Sequence, residues 1–175
     1  DFVDDHVFGQ ALVTRFLPAP YVALLVVLAV TTQKAWIVFP IGLLQIGTNV
    51  LFTEFEKRAA SQVTKEKNAR ILFVLRLVLN VACETALLLL IGPGEMVWIL
   101  VLPSTFAAPF AWPFRLALIF STIDYVASLA VMIYIGESPT VLLLFSVMSI
   151  SAFFIASFLM THFRQCLTAI RGSAD

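Results

Sequence analysis

Six apolar runs, each about the length of a bilayer crossing, leave this chain few folds to choose from. They cover residues 16–32, 35–52, 71–91, 96–112, 114–135 and 140–160, with short polar or glycine-containing breaks between them. A membrane-spanning helix needs about 20 predominantly apolar residues, within a range of about 17–25. Pro18 and Pro20 stand at the start of the first run, where a missing N–H costs little. Pro103 and Pro109 fall inside the fourth run, which is expected to be kinked or short. Gly92-Pro93-Gly94 and Gly136-Glu137-Ser138-Pro139 mark tight turns.

Composition agrees. Of 175 residues, 61% are hydrophobic and 13% charged, against about 45–50% and about 25% in a soluble domain. The expected fold is an all-α, polytopic transmembrane bundle of about six helices in the lipid bilayer. Residues 1–15 form a tail or interfacial helix, 16–160 the membrane domain, and 161–175 the start of a cytoplasmic helical extension. Arg15, Lys57, Arg58, Lys65, Lys67, Arg70, Arg115, Arg164 and Arg171 fall at one end of the alternating runs, and Lys34 alone at the other. The positive-inside rule then puts both termini in the cytoplasm, with a bacterial inner membrane as the expected location. Trp36, Trp98, Trp112 and Tyr134, near run ends, are expected to anchor at the interfaces.

Ionisable side chains at membrane depth are costly and raise a functional question by default. Glu84 and Asp124 both fall near the middle of the bilayer. Arg76, Asn80 and Glu84 recur every four residues and share one stripe of the third helix, while Gln45 and Asn49 are one turn apart on the second. Ser121, Asp124 and Ser128 make a comparable stripe on the fifth. These positions outline a candidate ligand site between helices two, three and five for a quinone headgroup, a proton, a cation or a lipid-like molecule. The competing account is a packing network in which Arg76 neutralises a carboxylate and the amides bond across helices.

Other chemistries find no support in the residue pattern. Cys83 and Cys166 have no metal-ligand or disulfide spacing. Haem is not expected, since His6 and His162 are the only histidines. No nucleophile–base constellation, phosphate loop or basic nucleic-acid face is present, so neither an enzyme active site nor a nucleic-acid partner is expected in this chain.

The last helix carries a different pattern. Phe153, Ala156, Met160, Phe163, Leu167 and Ile170 recur at alternating spacings of three and four, an a/d seam that continues out of the membrane. Ser149, Ala152 and Ala156 add small residues suited to close helix approach. One reading is a signalling helix that forms a homodimer and drives a cytoplasmic output domain beyond this chain. The other is an ordinary helix end on the membrane surface. The chain opens on Asp1 rather than Met and is expected to be a piece of a longer protein.

With its basic inner loop, polar-marked helix, glycine turn and proline-broken helix, residues 71–135 resemble the N-terminal membrane region of bacterial sensor proteins. The plan is similar to that of redox-sensing histidine kinases of the RegB/PrrB type, and six-helix membrane domains of class III adenylate cyclases share it. That family carries a Gly-Gly…Asn-Pro-Phe motif tied to quinone sensing where this chain has Ile91-Gly92-Pro93-Gly94-Glu95-Met96-Val97-Trp98, which keeps the glycine turn and an aromatic but lacks Asn-Pro-Phe. The resemblance implies a membrane sensory domain. A small transporter or channel, or an accessory subunit of a larger membrane complex, are the alternatives.

Overall fold

A computed structural model describes Val13, Arg15 and residues 17–57, 62–94 and 96–172, without the side chains of 56–57, 62–69, 167–168 and 170–172. Residues 1–12, including His6 and most of the expected tail, lie outside the described residues, as do the side chains of Leu167 and Ile170. Among the described residues the chain is all-α, with six helices and no strand: α1 (Pro18–Thr32), α2 (Ala35–Lys57), α3 (Gln62–Ile91), α4 (Val101–Ala111), α5 (Phe114–Tyr134) and α6 (Pro139–Gly172). A 3₁₀ turn, Met96–Leu100, leads into α4.

Four of these helices are long and apolar enough to cross a membrane: α2, α3, α5 and α6. The other two are apolar but shorter. The surface pattern is that of a membrane-embedded protein. Leu43, Val78, Ile133 and Phe158 are exposed, while Gln45, Asn80, Glu84 and Asp124 are buried. In water the two sets would exchange places.

The prolines explain the shape of α4. Pro103 is its third residue, in the first turn, where no intrahelical N–H is required; Pro109 comes just before the helix ends at Ala111. The run is thus shortened and opened by a 3₁₀ turn. Its small residues put α4 at the centre of the bundle: Ala107, Ala108 and Ala111 are buried, and its main neighbours are α5 and α6. Around it α1 packs on α2, α2 on α3, and α3 on α5.

Two apolar cores result. One, toward the end that carries the glycine turns, collects Leu25, Leu28, Val38, Leu87, Leu88, Trp98 and Phe145. The other, toward the basic end, collects Ala108, Ala111, Trp112, Ala117, Phe120 and Phe153. Trp98 and Trp112 are therefore core residues and not interface anchors; Trp112 stacks on Phe120 at 4.9 Å and meets Phe73 edge-on at 5.2 Å. Trp36 and Tyr134 are exposed.

The turn end is stapled by polar contacts. Gly92, Gly94 and Gly136 hold φ values of 89°, 83° and 82°, which only glycine adopts at little cost. Lys34 Nζ donates to the carbonyls of Ile91 (2.8 Å) and Leu90 (3.3 Å), capping the C-terminus of α3. Gly94 N–H donates to Glu137 Oε1 at 3.1 Å. All three turns at this end are joined in this way.

The a/d seam of α6 is turned inward over its first half. Phe153, Ala156 and Met160 are buried within the chain, with Phe153 packed into the core around Ala108 and Trp112. Their face is filled by the protein's own helices. Phe163 is exposed.

Candidate functional site

Between the two cores the polar side chains form an ordered ladder. At its first rung Gln45 Nε2 donates to Glu84 Oε1 at 2.8 Å. At the second, Asn49 Nδ2 donates to Asn80 Oδ1 at 3.0 Å, and at the third Arg76 Nη2 donates to Thr53 Oγ1 at 3.0 Å. Each step of four residues up α2 is matched by a step of four down α3. This is the register of two antiparallel helices whose facing stripes share one period. Asn49 and Thr53 also bond to backbone: Asn49 Nδ2 to Gln45 O (2.8 Å) and Thr53 Oγ1 to Asn49 O (3.0 Å). A polar group kept out of water at membrane depth requires such partners.

The first rung is the richest. Tyr21 of α1 donates its hydroxyl to Gln45 Oε1, and Ser104 of α4 donates to Glu84 Oε1. Four helices thus meet at one glutamine–glutamate pair. Asp124 of α5 brings in a fifth, its carboxyl group lying against that of Glu84. No hydrogen-bond donor among the described residues reaches either oxygen of Asp124, or Oε2 of Glu84.

Arg76 stands at the far rung of the ladder. It lies eight residues from Glu84, about 12 Å along the helix. Its guanidinium bonds to Thr53 and sits 6.0 Å from the ring centroids of both Phe52 and Trp112, within the range of cation–π attraction.

Beside the ladder runs a cavity of about 90 Å³, room for several waters or a small polar group. Its walls combine the ladder (Tyr21, Gln45, Asn49, Thr53, Arg76, Asn80, Ser104) with apolar surface from Leu17, Ile46, Pro103, Trp112 and Phe120. It extends from mid-bundle toward the basic end, where Val13 and Trp112 line it, and the apolar core around Leu25 and Leu87 occupies the other end.

Gln45, Asn49, Arg76, Asn80, Glu84 and Asp124, chosen from sequence, are therefore brought together, although Glu84 and Asp124 do not themselves line the cavity. Tyr21, Thr53 and Ser104 were not anticipated, and two of them lie on α1 and α4, outside the trio of helices two, three and five. Thr53 carried a legible signal: it continues the four-residue spacing of Gln45 and Asn49. Of the two histidines, His6 lies outside the described residues, and His162 is exposed and stacks on Phe158. No group of three or more His, Cys, Asp or Glu able to hold a metal occurs among the described residues.

Comparison with family models, curated proteins and solved structures gives no match.

Proposed function

We propose that this chain is the membrane-embedded sensory or regulatory part of a bacterial signalling protein. It crosses the inner membrane six times with both ends in the cytoplasm, carries no catalytic activity of its own, and drives an output domain beyond Gly172. Its input is a small amphipathic molecule, quinone-like or lipid-like, whose polar head enters the cavity beside the Gln45–Asn49–Asn80 ladder. The observation that carries this reading is a largely apolar cavity with the polar ladder along one wall, running from mid-bundle toward the basic end. A cavity backed by a packed core suits a site that binds and reports. The mid-bundle carboxyl pair favours a second reading, an ion- or proton-coupled transporter, and flux across liposomes containing the chain would reveal it.

Trp112 lines the cavity and supplies the test. Decylubiquinone added to the chain in nanodiscs is expected to quench tryptophan fluorescence saturably, with the saturable part absent in Trp112→Phe. Asn49→Leu and Asn80→Leu should each weaken the apparent affinity by about fivefold or more, the value of one or two hydrogen bonds. Quenching that rises linearly, as simple partitioning gives, and is unaltered in these variants would overturn the proposal. A spin label on exposed Cys166 should change mobility over the same titration, because that residue lies on the helix taken to carry the signal.

A further inference from the structure

Serine and threonine inside apolar helices usually return their hydroxyl to a backbone carbonyl one turn back. This chain follows the habit: Thr48 bonds to Leu44 O, Thr53 to Asn49 O, Thr85 to Val81 O, Ser146 to Leu142 O and Thr161 to Ser157 O, all at 2.6–3.0 Å. Thr105, Ser121 and Ser149 depart from it. Each is at least nine-tenths buried, and none of their hydroxyl oxygens has a hydrogen-bond partner. They come from three different helices, α4, α5 and α6, and line one crevice of about 140 Å³. A buried hydroxyl left unsatisfied costs about 1–3 kcal/mol, so three in one place call for an occupant.

The mouth of the crevice indicates where the occupant comes from. Leu118, Ile150 and Phe154 form it, 44%, 52% and 62% exposed, on the two helices α5 and α6 that are long and apolar enough to span. It therefore opens sideways into lipid. Ser121 is seven residues into α5 and Ser149 ten into α6, about 10 and 15 Å from the respective helix ends. A phospholipid headgroup, held at the interface, does not reach that depth. A neutral carbonyl on an apolar chain does.

We infer that this crevice is a lateral binding site, separate from the ladder cavity, for a membrane-dissolved molecule with a neutral carbonyl head and an apolar tail. The Thr105, Ser121 and Ser149 hydroxyls donate to the carbonyl, and Phe153 and Phe154 flank the tail. A protonated fatty acid and a quinone ring offer the same carbonyl chemistry. The inference does not depend on the sensory reading, since it concerns other residues and another opening.

The test is photolabelling of the full chain in nanodiscs with a diazirine-bearing palmitic acid and, in parallel, an azido-benzoquinone with a decyl tail. Labelled peptides are mapped by mass spectrometry. Saturable labelling at residues 118–125 and 149–154 by either probe supports the site, and the probe that labels identifies the source of the carbonyl. Ser121→Ala and Ser149→Ala should each raise the half-saturating concentration about fivefold and the double variant at least tenfold. Ser157→Ala, which removes another partnerless buried hydroxyl outside the crevice, should leave labelling unchanged. Circular dichroism of each variant confirms folding. Labelling that is unsaturable and spread evenly over lipid-facing residues, or that is equal in the double variant and the parent, overturns the inference and leaves the crevice to water.

Discussion

Replacing Gln45 with leucine removes the side chain that ties α1 to α3. Gln45 accepts from the Tyr21 hydroxyl and donates to Glu84, so two interhelical hydrogen bonds are lost. Bonds of this type in membrane bundles average about 0.6 kcal/mol and reach about 1.7, which gives a cost of about 1–3 kcal/mol. Asn49→Leu removes one interhelical bond, to Asn80, and should cost about half as much. The sharper measurement is a double-mutant cycle between Tyr21→Phe and Gln45→Leu. Each single variant breaks their shared bond, so the double should cost less than the sum by about 0.6–1.7 kcal/mol. Unfolding by sodium dodecyl sulfate in mixed micelles, followed by circular dichroism, measures all three. Leu44→Ala, one position away on the exposed face of α2, is the control for lipid-facing substitution. Additivity within about 0.5 kcal/mol, or a Gln45→Leu cost no greater than that of Leu44→Ala, would refute the tie.

Three further outcomes are expected. A Cβ at Gly42 would overlap the methyl groups of Leu25, so Gly42→Ala should destabilise by about 1–3 kcal/mol, and combined with Leu25→Ala it should cost less than the two separately in the same titration. Phe153→Ala should cost at least about 2 kcal/mol by opening a cavity in the core around Trp112, whereas Phe154→Ala on the exposed face should cost little; equal effects would contradict the inward-facing seam. A membrane-impermeant maleimide should label exposed Cys166 in inside-out but not right-side-out vesicles, and reach buried Cys83 only after unfolding; labelling of Cys166 from the opposite side would reverse the proposed orientation.

What could be read in advance followed from cost. Arg76, Asn80 and Glu84 stand out in an apolar run because each is expensive there, and their four-residue spacing gives the stripe without any tertiary knowledge. Tyr21 and Ser104 do not stand out: a lone tyrosine or serine in an apolar helix is cheap, and only the packing of α1 and α4 against Gln45 and Glu84 gives them a role. The α6 seam shows the opposite limit. Spacings of three and four place Phe153, Ala156 and Met160 on one face, but periodicity does not say what covers that face. Here it is α4, whose alanines let it sit close to α6. Trp98 and Trp112 misled for a related reason, since nearness to the end of a run suggests an interface only when the helix reaches one, and the helix between them is short and central.

The stapled turns have a mechanical consequence. With Lys34 holding the end of α3 and Glu137 holding the turn before α4, the helices are pinned together at one end like the ribs of a folded fan. Whatever widens the bundle must then do so by pivoting, and displacement grows with distance from the pin. The 34 residues of α6 make an arm of about 51 Å. A tilt of about 2° would carry its far end about 2 Å, comparable to the helix shifts that operate molecular switches. Cutting the pin, by Glu137→Leu with Lys34→Met, would remove the acceptor of the Gly94 N–H and the Lys34 cap, let both ends of the arm move and so shorten its throw.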